Sequence, residues 1–354
     1  MHIAIITGTM PDIIKQTPIV HAAESRLHTV SLVHLLQHDF ILFRRTALSI
    51  HLRDPDIILP AAFPFFNAIK SFTDLFKIIT PDIVLAHGDT YTTMAAATAA
   101  HYIGIPVGHV EAGLRTQSRE PWPEQTNTRI VDACSTLFFA PTEQCRTNLL
   151  NEGFRDSNIL MCGNTLVDIV IKTMAQQRAK ATTNQVYFSA HREENMRFPD
   201  RVFNIVQFAN FLANIGYSVS WVLRGKTQDR INGHMVDSRI KFIDFLSYPE
   251  SLQLLYNSVF ACVDSGGLQE EAAILGTPCL TMRYITDRPE TVEAGVNTLT
   301  TLEFSRMKEV YASFIHNNLA PKIATGLYGN GTAAEQILDF IENNNYIHWE
   351  DRRI

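Results

Sequence analysis

The run His2-Ile-Ala-Ile-Ile-Thr-Gly-Thr-Met-Pro-Asp-Ile-Ile-Lys15 passes from strand to helix through one short polar turn. Ile3 to Thr7 is β-branched and apolar enough for a strand buried on both faces. Gly8-Thr9-Met10-Pro11 breaks it, and a helical pattern starts near Pro11, where the missing N–H is not needed. The same unit recurs along the chain. Ile83 to Ala86 reads as a strand, His87-Gly-Asp-Thr90 as its polar exit, and Thr92 to Tyr102 as an Ala-rich helix. Ile105 to Val110 and Leu137 to Ala140 are further strands.

After a polar link, Lys172 to Asn184, the alternation restarts. Gln185 to Ala190, Val219 to Leu223, Ile240 to Ile243, Val259 to Val263 and Cys279 to Met282 read as strands with helices between most of them. Strand–helix alternation implies parallel sheets wrapped by helices. Two series imply an α/β protein of two Rossmann-like, doubly wound domains facing a cleft. The expected division is 1–168, an N-terminal domain carrying catalytic carboxylates, and 169–330, a nucleotide-binding domain. A C-terminal helix in 331–354, opened by Thr332 as its cap, is expected to pack back on the first domain.

Composition narrows the class. The 354 residues are 46% hydrophobic and 19% charged, ordinary for a globular chain. Thirty Lys and Arg against 36 Asp and Glu give a net charge of -6 without a basic stripe, which argues against a nucleic-acid partner. The five cysteines form no CxxC pair and read as core thiols of a reducing compartment. No apolar run reaches the ~18 residues of a membrane span, and no signal peptide is evident. A soluble, cytoplasmic protein is expected, with no membrane partner.

The polar clusters fall where strands end, which is where ligands bind in open α/β sheets. Thr7-Gly8-Thr9, His87-Gly88-Asp89-Thr90, Glu111-Ala-Gly113, His191-Arg-Glu-Glu194 and Asp264-Ser-Gly-Gly267 all stand at such places. In Asp264-Ser-Gly-Gly-Leu-Gln-Glu-Glu271, glycines open a helix whose free N–H groups suit a phosphate, and Glu271 suits two neighbouring hydroxyls of a ribose. Ser265 as a plain helix cap is the structural alternative. Gly225-Lys226-Thr227 lacks the first glycine of a Walker loop, and no GxGxxG follows the first strand, so a nicotinamide dinucleotide is not expected. No HExxH or Cys/His spacing marks a metal site. His87 and His191 lead polar clusters and read as functional; His109 is open between a core and a functional role.

Taken together, the segments GTMPDIIKQTP (8–18), HGDTYTTMAAATAA (87–100), GIPVGHVEAGLRT (104–116), PWPEQTN (121–127), LFFAPTEQCRTNLLNEG (137–153), GNTLVD (163–168), AHREEN (190–195), DSGGLQEEAAILGTP (264–278) and RPETVEAG (288–295) resemble the UDP-N-acetylglucosamine 2-epimerase family, in particular its non-hydrolysing branch. They occur in family order over nearly the whole chain. The resemblance implies a GT-B fold and interconversion of UDP-N-acetylglucosamine and UDP-N-acetylmannosamine. It implies elimination of UDP to a 2-acetamidoglucal and readdition, with no metal or cofactor, in a homodimer serving polysaccharide biosynthesis. It also implies Asp89, Glu111, Glu124 and His191 as catalytic residues. Lys15, Ser265, Gly266 and Gly267 match diphosphate contacts and Glu271 the ribose contact, with Asn164 and Arg192 as further substrate-binding residues. Crowded acids are expected to raise at least one carboxyl pKa.

The departures are specific. Met10 stands where an arginine is usual, and Arg224 is a candidate replacement. Gln125 replaces the second acid of the Pro-Glu-Glu pair, and Thr128 replaces an arginine. Leu36 before Gln37-His38, and the apolar loop 61–67, argue against the activator site of some bacterial members. Three other functions stay open at this level: a hydrolysing epimerase releasing N-acetylmannosamine and UDP, a 2-epimerase of a modified UDP-amino sugar, and a nucleotide-sugar binding regulator without turnover.

Overall fold

A computed structural model of the chain describes residues 1–37, 40–60, 65–116, 118, 120–175, 183–223, 227–318 and 326–344. They divide into two compact units. Unit 1 is Met1–Lys172 with the segment from Tyr328 onward, and unit 2 is Thr173–Leu327.

Unit 1 holds seven strands: β1 (His2–Thr7), β2 (Thr29–Leu35), β3 (Ile57–Leu59), β4 (Ile83–His87), β5 (Val107–Val110), β6 (Leu137–Ala140) and β7 (Ile159–Met161). They are parallel and ordered β3-β2-β1-β4-β5-β6-β7. Unit 2 holds β8 (Gln185–Ser189), β9 (Ser218–Val222), β10 (Lys241–Ile243), β11 (Phe260–Val263), β12 (Cys279–Thr281) and β13 (Asn297–Leu299). Its parallel order is β10-β9-β8-β11-β12-β13. Each sheet therefore starts in its middle, builds to one edge, then returns to build to the other. That is the doubly wound order, and each unit has one switch point: β1/β4 in unit 1, β8/β11 in unit 2.

The central strands are apolar on both faces because helices cover both. Ile3, Ala4, Ile5, Ile83, Val84 and Leu85 are fully buried. The helix Tyr91–Tyr102 is rich in alanine, so its backbone packs closely on the sheet, beside Phe72 and Phe76 of the helix Phe65–Ile79. Unit 2 fills the corresponding space with Phe188 and Trp221, ring centroids 4.6 Å apart.

Four strands lie outside the sequence reading: β2, β3, β7 and β13. Three have only three residues each, too few for a periodic signal, and are paired through backbone at sheet edges. β2 starts exposed and polar at Thr29 and becomes apolar only toward Leu35. Of the expected inter-domain link, residues 176–182 lie outside the described residues.

The chain re-enters unit 1 at Tyr328, whose carbonyl accepts from Asn164 N at 2.9 Å. The last helix, Ala333–Asn343, is anchored twice. Arg26 pairs with Glu335, Asp339 and Glu342, and Phe340 meets Phe139 edge-on at 6.1 Å. Thr332 occupies the N-cap position but makes no side-chain cap bond. Asp168 does that work from another helix, accepting from Ala333 N at 3.3 Å and Ala334 N at 3.0 Å. A cap brought in by tertiary packing leaves no local sequence trace.

Gly163 is required at this crossing. Its φ is +84°, and a Cβ there would lie 2.5 Å from the Tyr328 carbonyl oxygen. Gly163→Ala is expected to lower the melting temperature by several degrees, since the left-handed backbone alone costs ~1–3 kcal/mol and the clash adds to it. A melting curve matching wild type would show that the chain crossing yields without cost.

Candidate active site

At the unit 1 switch point, β1 exits through Gly8 and Thr9 into the helix Met10–Ser25. Asp12, one turn in, reaches back with Oδ2 to Gly8 N at 3.1 Å and Thr9 N at 2.9 Å. This is a capping box closed by an aspartate, and it satisfies two helix-start amides. The other oxygen, Oδ1, lies 3.3 Å from His87 Nδ1 at the end of β4. One buried carboxylate thus bridges the two strands on either side of the switch. Gly8 has no space for a side chain, because a Cβ would meet Thr92 Oγ1 at 2.1 Å.

β5 ends at Val110, and Glu111 then takes φ +70°. The left-handed region is uncommon for a residue with a Cβ, and such strain persists only where the surroundings enforce it. Here Glu111 N and Ala112 N both point at the Phe139 carbonyl, at 3.1 and 3.2 Å. The residue is 5% exposed. Its Oε1 accepts from Lys15 Nζ and from Asn164 Nδ2, the latter at 2.7 Å, and Oε2 lies 3.4 Å from His87 Nε2. Lys15 follows Asp12 by three residues, so the two share a helix face and both reach the switch point.

The result is a buried set of two acids, Asp12 and Glu111, and two bases, Lys15 and His87. Burial opposes a charge on His87, but the Glu111 carboxylate and then the Asp12 hydrogen bond outweigh it, raising its pKa to about 9. Crowded acids were the expectation. Around Glu111 the structure instead sets an ammonium, an imidazolium and an amide N–H. Lys15 and Asn164, matched to the substrate by resemblance, are held on this carboxylate.

Asp89 and Glu124 are both half-buried and are brought to one side of the same helix. The turn Pro121-Trp122-Pro123 leads into the helix Glu124–Cys134, and Asn127, one turn after Glu124, donates from Nδ2 to the Asp89 carbonyl at 2.8 Å. Gln125 accepts from Thr116 N at 2.8 Å. Its amide oxygen serves that clamp as well as a carboxylate would, without burying a charge. His109 is fully buried and bonded within unit 1 rather than open to a ligand.

Unit 2 repeats the device at its own switch point. Asp264, fully buried after β11, accepts from His191 N at 3.0 Å, Arg192 N at 2.9 Å and Asn195 Nδ2 at 3.0 Å. It also lies 3.5 Å from His191 Nδ1. The exit of β8 is therefore hung on the exit of β11. Ser265 is the N-cap residue of the helix Gly266–Leu275 yet makes no side-chain cap bond. A Cβ on Gly266 would lie 3.6 Å from the Arg288 guanidinium, and one on Gly267 would meet nothing within 4 Å. The helix start is thus open at Gly267, where free helix-start amides suit an anion, and at Gly266 it faces both the Arg288 guanidinium and, at 3.7 Å, Asp287 Oδ2. Arg288 pairs with Glu270 and, at 2.9 Å, with Asp287, while Arg283 pairs with Asp287 at 3.0 Å. Burial disfavours the Asp287 charge, but Arg288, Arg283 and Arg192 hold it well below the usual carboxylate range. Glu271 is buried in the same helix.

Asp12, Asp264 and Arg288 were not singled out as functional by the sequence reading. A signal existed for Asp12 in its position three after Thr9. Arg224, the candidate replacement for the arginine missing at Met10, lies outside the described residues, as do His38 and residues 61–64. Gln37 is exposed, and its Oε1 accepts from Thr92 N and Oγ1 at 3.1 and 2.8 Å. Among the described residues no group of three or more His, Cys, Asp or Glu side chains could hold a metal ion. No described helix is long and apolar enough to cross a membrane.

Comparison with known proteins gives one consistent result. The sequence profile described as UDP-N-acetylglucosamine 2-epimerase matches residues 60–342. A UDP-N-acetylglucosamine 2-epimerase of Methanocaldococcus jannaschii is 32% identical over 374 residues, covering 98% of this chain and 100% of the relative. The crystal structure of the M. jannaschii UDP-GlcNAc 2-epimerase in complex with UDP-GlcNAc and UDP has a TM-score of 0.88 at 30% identity, covering 97% of this chain and 100% of the other. That of the Neisseria meningitidis enzyme bound to UDP-GlcNAc has a TM-score of 0.86 at 30% identity, with the same coverage.

His87 yields a measurable signature. Its folded pKa of about 9 lies above the ordinary histidine value of 6.5. Its stabilising contribution is therefore complete below about 6.5 and is lost as pH rises through about 9, amounting to roughly 3 kcal/mol. The melting-temperature gap between wild type and His87→Gln is expected to be widest at pH 6 and to close toward pH 9.5. A gap constant with pH would mean that His87 is not charged.

Proposed function

The chain belongs to the UDP-N-acetylglucosamine 2-epimerase family and is an epimerase of that sugar nucleotide, and we propose that it works by the non-hydrolysing route. The observation that carries this reading is Glu111: a carboxylate on a strained backbone at the exit of β5, clamped by Lys15, His87 and Asn164. A fixed base beside two proton-bearing groups is what removal of a weakly acidic C2 proton requires.

In this reading the reaction runs in two balanced halves. The C1–O bond to the diphosphate breaks and UDP leaves with the electron pair. A base takes the proton from C2, and the C1–C2 double bond of 2-acetamidoglucal forms. UDP then returns to C1 while a proton is delivered to the opposite face of C2. No water is consumed. Asp89, Glu111 and Glu124 handle the protons, and His191 stabilises the leaving diphosphate. Ser265, Gly266 and Gly267 hold that diphosphate, with Lys15, Asn164 and Arg192 as further substrate contacts, and Glu271 takes the ribose hydroxyls. No cofactor is needed for any step. The reading also places the enzyme in the cytoplasm as a homodimer, supplying N-acetylmannosamine units for polysaccharide synthesis.

Incubation with UDP-N-acetylglucosamine in D2O, followed by proton NMR, is expected to give UDP-N-acetylmannosamine with deuterium at C2. Asp89→Asn, Glu111→Gln and Glu124→Gln are each expected to lower turnover by at least about 10²-fold with the fold intact, the scale of losing a general acid or base. Free N-acetylmannosamine and UDP would instead identify the hydrolysing reaction. No turnover, with Met10 in place of arginine, would point to a modified sugar nucleotide. Light scattering on the eluting protein is expected to give twice the 39.9 kDa chain mass; a monomer mass would remove the dimer.

A further inference from the structure

His109, in the middle of β5, is fully buried, and both of its ring nitrogens face acceptors. Nε2 lies 2.8 Å from the Gly88 carbonyl oxygen and Nδ1 lies 2.6 Å from Asp132 Oδ1. A carbonyl has no proton to give, so Nε2–H must donate. Asp132 also accepts on Oδ2 from Arg115 Nη2 at 2.7 Å and from Gly113 N at 3.4 Å. Burial disfavours its charge, but His109 and Arg115 hold its carboxyl below the usual range. Nδ1 faces the Asp132 carboxylate, so the ring is held at both nitrogens. Glu152, the remaining charged group in this set, balances Arg115 at 2.7 Å and Arg129 at 2.7 Å.

Each tie runs to a different acid-bearing segment. Gly88 immediately precedes Asp89. Gly113 and Arg115 follow Glu111 by two and four residues. Asp132 itself sits on the helix that begins with Glu124, whose Asn127 already holds the Asp89 carbonyl. The far side of the Glu111 exit is also fixed, since Asn148 Nδ2 donates to the Gly113 carbonyl at 2.9 Å and a Cβ on Gly113 would meet the Cys145 carbonyl at 2.3 Å.

We propose that the buried His109–Asp132 pair is a positioning device that sets the three segments carrying Asp89, Glu111 and Glu124 in register for turnover. Neither residue touches the reacting atoms. The inference rests on the reading that those three acids do the chemistry. A displacement of about 1 Å in a catalytic group costs on the order of 10²-fold in rate, so the pair acts on kcat and leaves KM nearly unchanged.

Two substitutions separate the ties. In His109→Gln the amide nitrogen falls near the place of Nε2 and keeps the Gly88 bond. In His109→Asn it falls near the place of Nδ1 and keeps only the Asp132 bond. Steady-state kinetics with UDP-N-acetylglucosamine are expected to show kcat of His109→Asn down by on the order of 10²-fold, kcat of His109→Gln recovered about tenfold from that, and KM of both within about twofold of wild type. Equal losses in the two variants, or a loss expressed in KM, would overturn the positioning role. Asp89→Asn and Glu111→Gln run alongside as controls. Should they retain turnover, the reading of the acids falls and the positioning role with it; equal losses at His109 with inactive controls overturn the positioning role alone. Fold failure is bypassed on the wild-type enzyme with ¹⁵N-histidine labelling. A proton on Nε2 of His109, donated to the Gly88 carbonyl, is expected, and an Nε2 without a proton would overturn that tie and the positioning role with it.

Discussion

In each unit the chain starts its sheet in the middle, and the crossovers after the two central strands leave in opposite directions. No connection covers the carboxyl ends of those strands, so a crevice opens between β1 and β4 and another between β8 and β11. Backbone amides and helix starts are left without partners there. Both units meet this with one buried aspartate. Asp12 takes the amides of Gly8 and Thr9 and faces His87 across the gap. Asp264 takes the amides of His191 and Arg192 and the side chain of Asn195. The positions of the proposed reacting groups follow from these two bridges.

Glu111 shows what the arrangement costs. It combines a left-handed backbone with a buried carboxylate, and neither is favourable alone. Taking charges out of water costs several kcal/mol per ion unless geometry and hydrogen bonds are good. Lys15, Asn164 and His87 supply them, and Asp12 in turn supports His87. Removing one member would strand the rest, so the group behaves as a unit rather than as four separate contacts. Stability is traded for a carboxylate held in one place.

The departures from the family pattern differ in kind. Gln125 replaces an acid but keeps its acceptor oxygen, and the bond to Thr116 N shows the acceptor in use. Met10 replaces a cation and supplies no substitute of its own. Lys15, five residues on, is engaged with Glu111. Cationic groups near the open helix start of unit 2, Arg288 beside Gly266 above all, are themselves paired with acids, and this fixes their guanidinium planes.

The sequence by itself determined the fold class, the central strands and the strand-end polar clusters, because apolar runs bounded by Gly, Pro and polar residues are local signals. It marked Glu111, His191 and the Gly266-Gly267 helix start as candidates, since each stands within a few residues of a strand end, whereas Glu124 was marked by the family resemblance. It did not carry the three-residue edge strands β3, β7 and β13, which are held as strands by a neighbour's backbone. It did not carry the partners either. Asp12 and His87 are 75 positions apart, Lys15 and Glu111 are 96, and Asp264 and His191 are 73. Only tertiary structure decided that Glu111 sits among donors rather than among acids, that Asp168 caps a helix 165 residues away, and that His109 is tied at both ring nitrogens. The physical reason is range: propensity and periodicity act over one or two turns, whereas hydrogen bonds and charge pairing in a buried site depend on which distant strands the winding order makes neighbours.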